Sequence, residues 1–145
     1  MITDAELRPS QNQSLTGAAA TTTSTNTVDL LSASNDIGRG YPRRAFATVT
    51  AAFAGGTSVQ ALLVESANAD LSSSTTLVSG EAVAVADAVA GKVLLDVVVP
   101  RTTKRYIGFK FVTVGTMTGA SSNTVSAYFL AETNRPNTVP ANTGR

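Results

Sequence analysis

Residues 45–65, AFATVTAAFAGGTSVQALLVE, decide the fold class. Every odd position from Ala45 to Phe53 holds an apolar residue, whereas threonine occupies positions 48 and 50. This period of two is typical of a β-strand with one buried face. The adjacent glycines Gly55 and Gly56 then precede a second apolar run, Ser58–Glu65, and a two-residue glycine connection of this kind predicts a β-hairpin.

Similar short apolar runs recur along the chain and predict an all-β protein. The further predicted strands are the VDLL run near Asp29, Thr75–Ser79, the AVAVA run near Val83, Lys92–Val99, Arg105–Val114 and Val125–Glu132. About eight short strands at this spacing are typical of a jelly-roll β-sandwich. Glu81–Ala90 is compatible with a short helix, but its alternating valines favour a strand followed by a turn.

Both ends of the chain differ in composition from its middle. We expect an extended N-terminal arm at residues 1–27, a sandwich domain at 28–132 and an extended tail at 133–145. Ser10–Thr27 carries no charge and almost no large apolar residue, so on its own it buries too little area to offset its ordering entropy. Because Thr and Ser tolerate strand geometry, this arm is suited to lie along a partner.

Composition excludes several classes of function. The 145 residues contain neither Cys nor His, which removes disulfides, thiol nucleophiles, Ser–His pairs and the commonest metal ligands. We therefore expect no metal and no cofactor. A net charge of +1 argues against nucleic acid as a partner, and no apolar run approaches the ~20 residues that span a bilayer. The opening MITDAELRPS lacks the apolar core of a signal peptide, which predicts synthesis in a cytoplasm.

The carboxylates are scattered along the chain. Glu65 with Asp70, or Asp87 with Asp96, would serve as a glycosidase pair only if held at a defined separation in a cleft. Glu65 and Asp70 also lie in ESANAD, which lacks the spacing of a calcium loop. We interpret these carboxylates as surface-turn residues and predict no catalytic residues. A histidine-free enzyme working through Glu65, Asp70 or Asp87 is the rival hypothesis.

Basic residues cluster just before two of the predicted strands. In residues 34–46, SNDIGRGYPRRAF, the GRG sequence is not a phosphate loop, because Arg43 stands where G-x-G-x-x-G needs its third glycine. If these two strands start at the same end of the sandwich, the clusters form one patch, which is either a solvated rim or a protein-contact edge; nucleic acid is less favoured. The members are Arg39, Arg43 and Arg44 in the first cluster, and Arg101, Lys104 and Arg105 in the second.

The order of these features resembles the capsid cement (decoration) proteins of short-tailed phages, of the Bordetella-phage type. The family pattern has a D-x-G-x-G loop before the first long strand, a glycine hairpin, a serine-rich turn and a P-x-G-T-K-R-Y segment that leads into a later strand. These features match Asp36, Gly38 and Gly40; Gly55 and Gly56; Ser66–Leu77; and Pro100–Tyr106, in which Thr102 replaces the glycine. The likeness covers about Asp29 to Glu132, and each feature alone has low specificity.

The resemblance implies a non-enzymatic protein on the outer surface of the virion. It would bind an HK97-fold major capsid protein, bridge neighbouring capsomers, and associate with itself as a dimer or trimer. The arm would then lie along a neighbouring subunit. The residues implied at capsid or self contacts are Gln13, Leu15, Thr22, Thr25, Arg39, Tyr41, Arg43, Arg44, Arg101, Lys104 and Arg105. The alternative is a receptor- or glycan-binding module of a phage head or tail fibre, presenting the loop at residues 115–123.

Overall fold

The computed structural model describes residues 7–30, 43–119 and 121–131. Within these residues the chain forms ten β-strands and a short 3-10 turn, Val85–Asp87. The strands are β1 Ser10–Ser14, β2 Thr21–Thr23, β3 Val28–Asp29, β4 Arg43–Ala51, β5 Ser58–Ser66, β6 Thr75–Ser79, β7 Val83–Ala84, β8 Val93–Val98, β9 Tyr106–Val114 and β10 Thr124–Ala131. The all-β prediction is confirmed, including the strand and turn expected within residues 81–90.

The strands form two antiparallel sheets with the order of a jelly roll. Sheet 1 has the order β1-β10-β4-β8, and sheet 2 has the order β2-β9-β5-β6, with β3 added on β9 and β7 on β5. The connections β2–β3, β5–β6 and β6–β7 stay within sheet 2, and every other connection crosses to the other sheet. This strand order supports the predicted jelly-roll sandwich.

The core lies between the two inner faces, as the alternation predicts. Ala45, Ala47 and Val49 of β4 are buried there with the alternate residues of β9 and β10. Phe109 of sheet 2 meets Phe129 of sheet 1 with ring centroids 5.2 Å apart. These contacts fix which face of each sheet points outward.

The expected N-terminal arm is instead part of the sandwich. Ser10 of β1 pairs with Ala127 of β10, and Thr22 of β2 pairs with Phe111 of β9. Between these strands Leu15 is only 4% exposed and belongs to the core cluster. The domain boundary placed at residue 28 is therefore wrong. Uncharged Ser and Thr residues suit edge strands, because neighbouring strands supply the hydrogen bonds and Leu15 supplies the apolar anchor.

The predicted glycine hairpin is also wrong, because β4 and β5 belong to different sheets. Gly55 and Gly56 have φ values of +70° and +66°, which favour glycine. A Cβ on Gly55 would lie 2.6 Å from the Thr116 carbonyl oxygen, and one on Gly56 would lie 2.7 Å from Met117 Cε. The two glycines allow a tight crossing between sheets, packed against the β9–β10 connection.

The serine-rich segment between β5 and β6 folds over the outer face of sheet 2. Leu71 is fully buried there, and a Cβ on Gly108 of β9 would lie 2.7 Å from its Cδ1 atom. Val64 is buried on the same side, because it alternates with the core residue Leu63. Within the loop, Ser66 donates its hydroxyl to the Ser72 carbonyl over 2.6 Å. The loop thus covers apolar groups that this sheet points outward.

Several predicted features lie outside the described residues. They are Arg39, Tyr41, the D-x-G-x-G loop and the tail at residues 133–145. Among the residues that are described, no helix has the length and apolar character needed to cross a membrane.

Candidate interface

Five of the described basic residues gather at one end of the sandwich. Arg44 pairs with Val98, so β4 begins beside the end of β8. The loop at residues 99–105 continues from there and carries Arg101 and Lys104 before β9 begins. Strands β4 and β9 therefore start at the same end, which is the condition set for one basic patch. We call this region, formed by Arg43, Arg44, Arg101, Lys104 and Arg105, the basic end.

Two arginines of the basic end form ion pairs within the chain. Arg44 makes a two-pronged contact with Asp96, with its Nη2 atom 2.6 Å from Oδ2. Arg105 donates to Asp29 in the same way, over 2.9 and 2.7 Å, and these hydrogen bonds raise the pKa of Arg105. Both pairs are partly exposed, so they contribute little to stability. The carboxylates of Asp96 and Asp29 do, however, balance the charges of Arg44 and Arg105, the two arginines that the sequence suggested would contact an acidic partner.

A buried carboxylate anchors the loop of the basic end. Glu65 is 4% exposed, and its Oε2 atom accepts hydrogen bonds from the backbone N–H groups of Thr103 and Lys104 over 2.8 and 3.2 Å. Its Oε1 atom accepts from the Thr103 hydroxyl over 2.8 Å. Burial opposes the charged form, but these hydrogen bonds together outweigh it and lower the pKa of Glu65. The prediction that Glu65 is a surface-turn residue is wrong, because it fixes residues 103 and 104 to the end of β5.

The other carboxylates weighed for catalysis also have local contacts. Asp70 lies in an exposed turn, as predicted, and accepts from the Ser72 N–H over 2.9 Å. Hydrogen bonds from Ser72 lower the pKa of Asp70. Asp96 is paired with Arg44. Among residues 7–30, 43–119 and 121–131, no group of three or more acidic side chains is placed to hold a metal ion.

The outward face of sheet 1 carries an apolar patch next to the basic end. Strand register places Leu130, Arg44 and Val98 in one row, and Tyr128, Phe46 and Asp96 in the next. Except for Val98, these residues line a groove of about 210 Å³, and Val98 beside it is 54% exposed. We call the six residues the outer patch.

The remainder of that face is mostly polar, apart from Val93, which pairs with Thr48 and is 42% exposed. Thr50 and Thr124 share a hydrogen bond of 2.8 Å between their hydroxyls, and Thr48 donates to the Lys92 carbonyl over 3.0 Å. Outward positions of an antiparallel sandwich are usually of this kind. Sequence reasoning missed the patch, although Phe46, Tyr128 and Leu130 occupy the outward phase of their strands and were visible as large apolar side chains there.

A protein-family model matches the sequence of almost the whole described fold. The Bbp16 family model matches residues 10–126, from the first residue of β1 into β10. The chain belongs to the Bbp16 family. The family name suggests a protein of a Bordetella phage. No curated protein matches the chain.

The Bbp16 match includes the residues that were expected to form a separate arm. Gln13 donates its side-chain amide to the Thr23 carbonyl over 2.8 Å and accepts from the Thr25 N–H over 3.2 Å. Thr22 pairs with β9, and Leu15 is buried in the core. The prediction of an intermolecular contact is therefore wrong for Leu15. Thr25 is exposed, whereas Gln13 and Thr22 are partly buried.

In this Bbp16 family member the loop at residues 115–123 is tied to the sandwich at its described positions. Met117 is almost fully buried and exchanges backbone hydrogen bonds with Gly17 of 2.8 and 3.0 Å. Asn123 is buried, accepts from the Ala54 N–H over 2.7 Å and donates to the Thr118 carbonyl over 2.7 Å. These contacts do not favour the alternative in which this loop presents a receptor- or glycan-binding surface.

Proposed function

We propose that this Bbp16 family protein is a capsid cement protein without enzymatic activity. It binds the outside of a phage head built from an HK97-fold major capsid protein and bridges neighbouring capsomers. It is made in the host cytoplasm and ends on the outer surface of the virion, where it acts as a small homo-oligomer. The observation that carries this proposal is the family match over residues 10–126, which spans both sheets.

The physical demands of cementing suit the molecule. A protein that binds an assembled shell at many sites stabilises the shell by mass action, so each contact needs only moderate strength. About 800 Å² on each side is enough for a specific interface. The basic end offers Arg101 and Lys104 on one loop, with Arg101 exposed. Glu65 holds part of this loop in place before any partner binds, which lowers the ordering cost of binding.

Quantitative analysis of purified heads tests the function. We expect this protein in intact virions at a copy number comparable to that of the major capsid protein, and we expect added protein to raise the melting temperature of heads that lack it. Virions without the protein, or heads whose melting temperature does not change, would contradict the proposal.

A matched pair of variants tests the surface used. Arg101→Glu and Lys92→Glu make the same change in charge at two exposed positions, but only Arg101 lies at the basic end. We expect Arg101→Glu to weaken co-sedimentation with heads at least tenfold and Lys92→Glu to have little effect. Equal binding by the two variants would contradict a contact at the basic end and would support the alternative that this end is a solvated rim.

A further inference from the structure

The outer patch has the shape and exposure of a site for one apolar side chain. Phe46, Tyr128 and Leu130 are half-buried along its groove, and Val98 beside them is 54% exposed. The groove holds about 210 Å³, whereas pockets for small molecules usually hold about 300–1,000 Å³. Its size and its aromatic lining therefore suit a single large side chain, which is how the apolar anchor of a protein partner binds.

The charges that line the groove compensate each other. The Arg44 guanidinium is paired with the Asp96 carboxylate, and both residues belong to the lining. A charged group that entered the groove would lose hydration and would have to displace one member of this pair. The groove therefore favours an uncharged, apolar side chain.

Positive charge without a compensating carboxylate lies beside the groove. Arg101 is exposed and forms no ion pair with a residue that the structure describes. It follows Val98 by three residues, so the Cα atoms of the two residues lie at most about 11 Å apart. Because the guanidinium group is planar and carries several donors, an arginine here is suited to bind a carboxylate of a partner.

The backbone on both sides of Arg101 is fixed. Before it, Val99 donates its N–H to the Arg43 carbonyl over 2.7 Å. After it, Thr103 donates its N–H to the Glu65 carboxylate over 2.8 Å. Arg101 is therefore held near the groove before a partner binds, so that less ordering entropy is lost on binding.

We propose that the outer patch and Arg101 form one site for an extended, acidic segment of the partner protein. The segment places an apolar side chain in the groove and, about three residues away, a carboxylate on Arg101. This proposal rests on the proposed function, in which the partner is a protein of the phage head, and it adds the chemistry by which that partner is recognised. The apolar anchor supplies most of the affinity, and the carboxylate fixes the register of the segment.

Three variants at exposed positions of β8 test the apolar and acidic parts of the partner. Val98→Glu, Val98→Lys and Val93→Glu change outward-facing valines of the same strand, and only Val98 borders the groove. In co-sedimentation with heads that lack the protein, we expect Val98→Glu to weaken binding about tenfold or more, because it adds a carboxylate beside the groove. Val98→Lys should weaken binding less than about threefold, because its ammonium group attracts the partner's carboxylate, and Val93→Glu should bind as the wild type does.

The binding of these variants separates failure of the site from failure of the function. Val98→Glu that binds as well as Val93→Glu, or Val98→Lys that binds no better than Val98→Glu, would overturn the proposed site. If the wild type binds heads in the same experiment, the proposed function survives either result. A wild type that does not bind heads would contradict both the function and the site.

Hydroxyl-radical footprinting of the wild-type protein tests the same site without a substitution. We expect oxidation of Phe46, Tyr128 and Leu130 to fall severalfold when the protein is bound to heads. Leu62 and Val114, on the outward face of sheet 2, are the controls and should be oxidised as in the free protein. Unchanged oxidation at the groove would overturn the proposal. Protection that appears in the free protein as its concentration rises would also overturn it, because it would assign the groove to a second copy of the chain.

Discussion

Thr103 donates both its backbone N–H and its hydroxyl to the carboxylate of Glu65, each over 2.8 Å. The contact joins the end of β5 to the loop between β8 and β9. The three donors favour the charged form of this buried carboxylate and lower its pKa, so the loop of the basic end is linked to pH.

Glu65→Gln should lower the free energy of unfolding by about 2 kcal/mol at pH 7, because an amide nitrogen replaces one of the accepting oxygens. The pKa of Glu65 is lowered by folding, so its contribution is present above the unfolded value of about 4.3 and is lost as pH falls through the lower folded value. Urea denaturation at pH 7 and pH 3 should show the gap between wild type and variant shrinking in acid. Glu81→Gln, at an exposed position, is the control, and a gap independent of pH would contradict the assignment.

Leu15→Ala should destabilise the fold by about 2 kcal/mol or more, because it removes a core side chain between β1 and β2. Gln11→Ala, at an exposed position of β1 in the same segment, should change stability by less than about 0.5 kcal/mol. Chemical denaturation of both variants measures the difference. Equal stabilities would mean that the segment behaves as a separate arm after all.

Gly55→Ala should cost about 3 kcal/mol or more, because the new methyl group meets the Thr116 carbonyl in addition to the strain of a positive φ. Gly91→Ala is the matched control: its φ is +88°, but nothing lies within 4 Å of the added carbon. We expect about 1 kcal/mol there. Similar losses at the two sites in denaturation curves would rule out the close approach at the sheet crossing.

Leu71→Ala should cost about 2 kcal/mol or more, although Leu71 lies in a loop, because the side chain is fully buried over Gly108. Val89→Ala, at an exposed position in another connection, should cost less than about 0.5 kcal/mol. Hydrogen exchange should also show faster opening of residues 67–74 in the Leu71 variant. Unchanged exchange and stability would argue against a covering role for the loop.

The strands that the sequence predicted are those with a strong period of two. Ala45, Ala47 and Val49 indicate β4 by their alternation, and Ile107, Phe109 and Phe111 do the same for β9. In contrast, Ser10–Ser14 and Thr21–Thr23 have no apolar face that would indicate a strand. They form strands because they pair with partners more than 85 residues away in the chain. Local pattern carries no information on such pairing, which is why the segment was predicted to be an arm.

In the candidate interface, too, some features were predictable from the sequence and others were not. The sequence predicted that the two basic clusters form one patch if their strands start at the same end of the sandwich. The pairing of Arg44 with Val98 places both strand starts at one end. The salt bridges to Asp29 and Asp96 were not predictable, because each joins residues 52 or 76 positions apart. The Gly55–Gly56 pair misled for a related reason: a tight turn has the same local signal whether the next strand returns to the same sheet or crosses to the other.

The pairing of β1 with β10 has a consequence for biosynthesis. Of the ten described strands, β1 leaves the ribosome first, and its neighbour β10 leaves last, so this edge of the sheet closes only after all the others have been translated. Until then residues 10–14 lack their partner strand, and their polar side chains, SQNQS, expose no apolar surface that would drive premature association. The same composition that hides this strand from pattern recognition thus leaves it without an apolar face before its partner strand is made.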